Sequence, residues 1–398
     1  MKKIAVLLSV ITIVMTVMGC SKKQNEKDFI SLAYVSLPML KLQNAQPEQV
    51  KEILDSYRWE GISDVALLGG IFEAGQDGSL VTSWNKEEWP DVFLGLDYKG
   101  DSINEQSHRD RLCSRQTITN LVEYFKKKDL RMWLTVKASG WLTGGSLGVV
   151  LKDEDLTLKY VDRVCGLARS FGFEGIDFDW EFPPTKAEAE GYRRMMRLCK
   201  QRGFKVSVCA IQPTVGSDYL DNCMPEDAGV NAHAGRHMKW EEIISEEMVD
   251  QINVMQYLAY NPKTKKMDLK VKEDKMKEWE KYYPQEFSDN KKIDFLTGVG
   301  FYSFIIPEKK LPGEGKSANM TKLYEQYGAE SYDSPVIGGK HAVWTVTDVR
   351  DLVRMAKARG WSGVFTWLVS HDFSKEHPDQ YSRQHALGQE VLNIWNEE

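Results

Sequence analysis

Long apolar runs, blocks of like charge and cysteine are all scarce in this chain, and each scarcity narrows the reading. Over 398 residues the formal charge is only −6. The one lysine-rich stretch, residues 263–281, is interleaved with acids and reads as the solvated face of a helix. No nucleic-acid partner is expected. Six cysteines leave five once Cys20 is set aside: Cys113, Cys165, Cys199, Cys209 and Cys223. An odd set carries at least one free thiol unless a bridge forms between chains. Cys165 and Cys199 fall on apolar helix faces and Cys209 in a strand, which reads as buried, inert thiols and not a disulfide framework; a bridge through Cys223 stays open. No glycine-rich phosphate loop follows the first predicted strand, which argues against an open, doubly wound nucleotide-binding sheet.

The clearest apolar run, residues 4–18, follows Lys2 and Lys3 and covers 15 residues. That is short for a membrane span and suited to the apolar region of a signal. It ends in Val17, Met18, Gly19 and Cys20, which resembles the bacterial lipobox, where the cysteine is lipidated after cleavage. Residues 1–20 are then a lipoprotein signal, and an ordinary cleaved signal is the alternative. Residues 21–28 read as a polar tether that reaches roughly 28 Å when fully extended. The expected location is the bacterial cell envelope, with the membrane engaged only through the lipid anchor.

What the chain does have is an acidic strand. Asp177, Asp179 and Glu181 are spaced two apart, with Ile176, Phe178 and Trp180 between them. In a strand this alternation puts the carboxylates on one face and the apolar trio on the other. Large apolar residues on the second face require packing there, so the acids line a cavity over roughly 13 Å. Three such neighbours in a partly desolvated site cannot all ionise, and at least one holds a proton. A protonated acid beside an ionised one is the apparatus of general-acid catalysis. A calcium loop would place glycine at its turn and few large apolar residues between ligands. No His or Cys lies nearby to complete a transition-metal set, and no cofactor is called for.

Three stretches repeat one pattern. Val161, Val164, Cys165 and Ala168 form a helical stripe that Gly172 stops before the acidic strand. Tyr192, Met195, Met196 and Cys199 precede Gly203, and Val349, Leu352, Val353 and Ala356 precede Gly360; each is followed by a strand. Eight strands are predicted, over residues 29–35, 64–68, 131–137, 175–181, 205–211, 249–257, 293–301 and 363–368. Alternation with helices predicts an α/β fold, a (β/α)8 TIM barrel, whose chemistry sits at the strands' C-terminal ends. Glu181 ends its strand there. Long loops at residues 69–104, 212–237 and 302–345 read as walls or lids, the third with room for a small inserted lobe over about 303–345.

Residues 174–181 resemble the signature of glycoside hydrolase family 18, the chitinase family, Asp-Gly-x-Asp-x-Asp-x-Glu, with Glu174 in place of the first Asp. Weaker echoes are Lys137 to Trp141, the run of Met255, Gln256, Tyr257 and Leu258, the run from Gly298 to Tyr302, and Trp367. Together they span the chain from residue 29 to about 372, so residues 29–398 are expected to form one catalytic barrel.

The resemblance implies a substrate-assisted mechanism, outside the usual scheme of two enzyme carboxylates. In it Glu181 protonates the leaving oxygen, and the substrate's own acetamido group attacks the anomeric carbon to give an oxazolinium ion. Asp179 holds the acetamido N–H, Asp177 shares a proton with Asp179, and Tyr257 donates to the acetamido oxygen. Trp367, Trp141, Met255 and Tyr34 are the candidate substrate-facing residues. The implied substrate is an N-acetylglucosamine-containing oligosaccharide or polysaccharide joined by β-1,4 linkages. Leu258 replaces a family Asp, and Lys137 and Ser139 break the third-strand motif, which puts crystalline chitin in doubt as the glycan. Two other readings stay open: an endo-β-N-acetylglucosaminidase of N-glycan cores, against which Trp180 argues, and a non-catalytic glycan-binding barrel, against which Glu181 argues.

Overall fold

Alternating strands and amphipathic helices close on themselves here. The computed structural model describes residues 29–37, 40, 42, 45–68, 73–74, 80–81, 115–137, 145–180, 186–210, 244–255, 257, 260–261, 266–300, 302–305, 318–319, 336–337, 341–342, 346–367, 369 and 391–394. Eight parallel strands form a closed barrel in sequence order: β1 (Ile30–Ser36), β2 (Asp64–Leu68), β3 (Arg131–Lys137), β4 (Gly175–Asp179), β5 (Lys205–Ala210), β6 (Gln251–Val254), β7 (Asp294–Gly300) and β8 (Gly363–Trp367). All eight predicted strands are present, with ends shifted by a few residues.

Around them lie α1 (Pro47–Asp55), α2 (Arg115–Lys126), α3 (Gly145–Lys152), α4 (Glu154–Phe171), α5 (Lys186–Gln201), α6 (Leu269–Tyr282) and α7 (Val346–Ala358). The three stripes read from the sequence are buried against the barrel. The stop after α4 is a left-handed turn at Gly172 (φ 77°), and Gly203 and Gly360 end α5 and α7 in the same way. Asp153 caps the start of α4 by accepting from the Leu156 amide.

The outward face of β4 explains the apolar trio. Ile176, Phe178 and Trp180 are fully buried, and Phe178 and Trp180 both stand edge-on to Tyr192 of α5, at 5.9 and 5.3 Å. Burying each of these side chains contributes roughly 2 kcal/mol. This packing leaves Asp177 and Asp179 facing inward. Register does the rest: Asp177 is paired with Thr135 of β3 and Ser207 of β5, and Ser207 with Gln251 of β6.

One expectation changes. The lysine-rich helix, α6, is not wholly solvated. Lys270 and Lys277 ion-pair at the surface with Asp274 and Glu273, but Lys272 is completely buried together with Met276 and Trp279. Cys165 and Cys199 are buried as expected, and the packing of α4 on α5 brings their sulfurs to 3.8 Å. After β7, four short strands at Ala318–Asn319, Tyr302–Ile305, His341–Ala342 and Val336–Ile337 pair antiparallel in that order, as a small inserted sheet. Cys20, Cys113, Cys223 and the segment 1–28 lie outside the described residues. Among the described residues no helix is long and apolar enough to cross a membrane.

Candidate active site

Asp177 sits at the centre of a polar cage inside the barrel. Its side chain is fully buried, and four donors from four strands reach it. Tyr34 Oη of β1 donates to Oδ2 at 2.9 Å, and Thr135 Oγ1 of β3 to the same oxygen at 3.1 Å. Ser207 of β5 donates to Oδ1 through a short hydrogen bond, and Asn253 Nδ2 of β6 reaches that oxygen at 3.1 Å. An ionised carboxylate has about four acceptor directions, so this cage is full.

The cage also has a direction. Gln251 Nε2 donates to Asn253 Oδ1 at 2.8 Å, which turns the Asn253 amide nitrogen toward Asp177 and toward Tyr34 Oη, 2.9 Å away. The Tyr34 oxygen therefore accepts from Asn253 and sends its own proton to Asp177. Cys209 Sγ lies 3.3 Å from the same hydroxyl. Burial pushes the Tyr34 phenol well above its usual range, and the Asp177 charge adds to that.

Opposed effects set the proton affinity of Asp177. Burial raises it most, and the neighbouring Asp179 charge raises it further. The bonds from Ser207, Tyr34 and Thr135 pull it down, leaving a pKa of about 6. Asp179 follows on the same inward face, nearly buried at 4 % exposure. A carboxyl that exchanges its proton near neutrality, one strand step below a second carboxyl, can store or release a proton during a reaction.

Aromatic side chains form the wall above. The chain leaves β6 through a tight turn in which the Tyr257 amide donates to the Met255 carbonyl at 2.7 Å. Met255, Tyr257 and Trp367 are half-buried and pack on the interior cluster that includes Tyr34 and Phe365. Tyr34 lies 5.3 Å from Trp367, and Phe365 stands edge-on to both Tyr34 and Tyr257 at 5.8 Å.

Of the residues picked from sequence, the barrel gathers Asp177, Asp179, Tyr34, Tyr257, Met255 and Trp367 around one mouth, at the C-terminal ends of the strands. Glu181 and Trp141 lie outside the described residues. Thr135, Ser207, Asn253 and Gln251 were missed. The inward alternation of β3, β5 and β6 was the available signal, since each occupies the same parity as the acids do in β4. Among the described residues no group of three His, Cys, Asp or Glu side chains is gathered to hold a metal ion.

The fold has many known counterparts. A chitinase from Bacteroides thetaiotaomicron superposes with a TM-score of 0.60 at 14% identity, covering 94% of this chain and 99% of that one. A chitinase from the chitin utilization locus of Flavobacterium johnsoniae gives 0.58 at 13%, covering 93% and 96%. By sequence, the sporulation-specific chitinase 2 of Saccharomyces cerevisiae is 28% identical over 127 residues, which is 29% of this chain and 24% of that protein. The Nod factor hydrolase protein 1 of Medicago truncatula is 29% identical over 85 residues, 21% of this chain and 22% of its own. The chain thus spans about a quarter of the length of these curated relatives. The family model described as glycosyl hydrolases family 18 matches residues 81–372, which takes in the acidic strand, the Tyr257 turn and Trp367. With well over half its length matched, the chain belongs to glycosyl hydrolase family 18.

Proposed function

We propose that the protein hydrolyses β-1,4 linkages of N-acetylglucosamine-containing glycans, with retention, through an oxazolinium ion formed by the substrate's acetamido group. The observation that carries this reading is the caged Asp177 directly beneath Asp179, in a chain whose sequence carries Glu181 two residues further on. Glu181 is the proton donor to the leaving oxygen. Asp179 orients the acetamido N–H and offsets the positive charge that develops on that nitrogen. Asp177, which burial raises to about 6, shares a proton with Asp179 and keeps the charge of the acidic row tolerable. Tyr257 donates to the acetamido oxygen as it attacks. Trp367 floors the reacting sugar, with Met255 and Trp141 around it; Tyr34, picked from the sequence as substrate-facing, is fully buried and bears on Asp177 instead.

Support for the sugar comes from the family and its members: a class V chitinase of Nicotiana, 14% identical with a TM-score of 0.54, is described in complex with NAG4. Support for the chemistry comes from the balance at Asp177, which an ordinary solvated carboxylate would not have. We also infer that Cys20 is lipidated, that residues 21–28 are a tether and residues 29–398 the hydrolase domain, and that the protein works at the bacterial cell envelope. The Lys2 and Lys3 start and the lipobox-like run to Cys20 support this.

A glycan screen tests the activity. Chitin oligomers and N-glycans are incubated in parallel and the product masses read. Cleavage of chitin oligomers between sugars supports the proposal. Release of N-glycans at their chitobiose core instead would favour the endoglycosidase, and binding without products a carbohydrate-binding barrel.

A further inference from the structure

Gly298 of β7 faces Tyr257 across a gap that no side chain can enter. A Cβ built on Gly298 would lie 2.8 Å from Tyr257 Cε1 and 2.7 Å from Phe365 Cζ. Both distances are below any real carbon contact, so the Tyr257 ring takes the space beside the bare backbone of β7, in a T-shaped pair with Phe365. The carbonyl of the same residue takes a hydrogen bond from Lys272 Nζ of α6, at 2.8 Å. Lys272 is completely buried, and burial holds its amine well below the usual lysine range. Placing an amine there is costly. One return is visible: it ties the strand to the helix at the residue beside which Tyr257 lies.

We propose that Gly298 is the seat that sets the position of the Tyr257 hydroxyl, and that Lys272 anchors this seat from the helix layer. Both are positioning residues, acting through Tyr257 and not on the substrate. The inference rests on the proposed role of Tyr257 as donor to the acetamido oxygen. A donor that strengthens its bond only as the acetamido oxygen attacks must be placed to a fraction of an ångström. A ring free to slide over a side chain would not hold that placement, whereas a ring held beside glycine backbone does.

The test is a double-mutant cycle on the full chain, with the N-acetylglucosamine tetramer as substrate. Gly298→Ala is expected to lower kcat by about ten-fold or more, with KM changed less than about two-fold. Lys272→Met, which keeps length and apolar volume, is expected to lower kcat in the same sense but less. In a Tyr257→Phe background both substitutions are expected to cost less than about two-fold, because the hydroxyl they position is gone. Losses that multiply fully in that background, or a rise in KM with kcat intact, would overturn the proposal.

Should Gly298→Ala fail to fold, Lys272→Met decides by the same criteria. If the wild-type chain does not cleave the tetramer, the hydrolase reading fails, and the seat is read separately from the ¹⁹F resonance of fluorotyrosine at position 257. A resonance moved by Gly298→Ala, or by Lys272→Met, supports the seat, and one left in place by the folded variant overturns it.

Discussion

Tyr34 and Asp177 are 143 residues apart in the chain, and the hydroxyl of the first meets a carboxylate oxygen of the second at 2.9 Å across the interior of the barrel. The bond spans from β1 to β4, two strands that do not pair, so only closure of the barrel creates it. It ties the proton affinity of the buried carboxyl to the integrity of the whole ring of strands.

Tyr34→Phe removes the donor and leaves the ring. The lost bond is one of those holding Asp177 down, so its pKa should rise from about 6, by about one unit if a hydrogen bond to a charged group is worth roughly 1.5 kcal/mol. Carbon-13 NMR of the aspartate carboxyls reads this directly. A midpoint that stays or falls would show that the phenol does not bear on the charged form.

Stability should carry the same signature. The carboxyl of Asp177 is raised from an unfolded value near 3.8 to about 6, so between these pH values the folded state holds a proton that the unfolded state has lost. That stabilisation is complete below about 4 and is lost as pH rises through 6, a swing of about 3 kcal/mol from this group. Denaturant unfolding of wild type and Asp177→Asn at pH 4.5 and 7.5 isolates it. Asp177→Asn is expected to remove most of the difference between the two conditions, and an unchanged difference would assign it to other groups.

Much of this was legible because local rules and tertiary packing agree. The glycine stops at 172, 203 and 360 and the apolar stripes before them are decided within a turn or two of helix, so they announce the repeating units. The acids at 177 and 179 reveal their face because Ile176, Phe178 and Trp180 occupy the alternate one. Asn253 and Gln251 alternate with Ile252 and Val254 in the same way, so their face was legible but their role was not. Their importance comes from the register of β6 on β5 and from meeting Tyr34 of β1, which no local pattern encodes. Lys272 misleads for a related reason. In a stretch rich in lysine and glutamate its neighbours solvate, and only the seating of α6 on β7 shows which residue turns inward. The 3.8 Å approach of Cys165 to Cys199 likewise depends on how α4 meets α5.

The anchor is a separate expectation. If Cys20 is lipidated, wild type partitions with membranes and Cys20→Ala is released or left unprocessed. Fractionation followed by mass measurement of the mature N-terminus distinguishes the two. Equal solubility of both forms would point to an ordinary cleaved signal.

Glu181→Gln should abolish nearly all turnover while leaving glycan binding and folding close to wild type, since only the proton donor is changed. A poised general acid contributes about 10² to 10⁴ in rate. Steady-state kinetics beside calorimetric binding separates the effects, and half the wild-type turnover would be incompatible with the assignment.

The central claim is that the substrate brings its own nucleophile, and turnover of paired oligomers measures it most directly. Glucose oligomers and N-acetylglucosamine oligomers of the same length and β-1,4 linkage are compared at one enzyme concentration, with a fluorinated sugar added to trap any ester. Only the N-acetylated oligomer is expected to be cleaved, with no adduct on the protein. Efficient cleavage of the glucose oligomer, or a covalent sugar on Asp177 or Asp179, would contradict the account and make this an enzyme of two carboxylates.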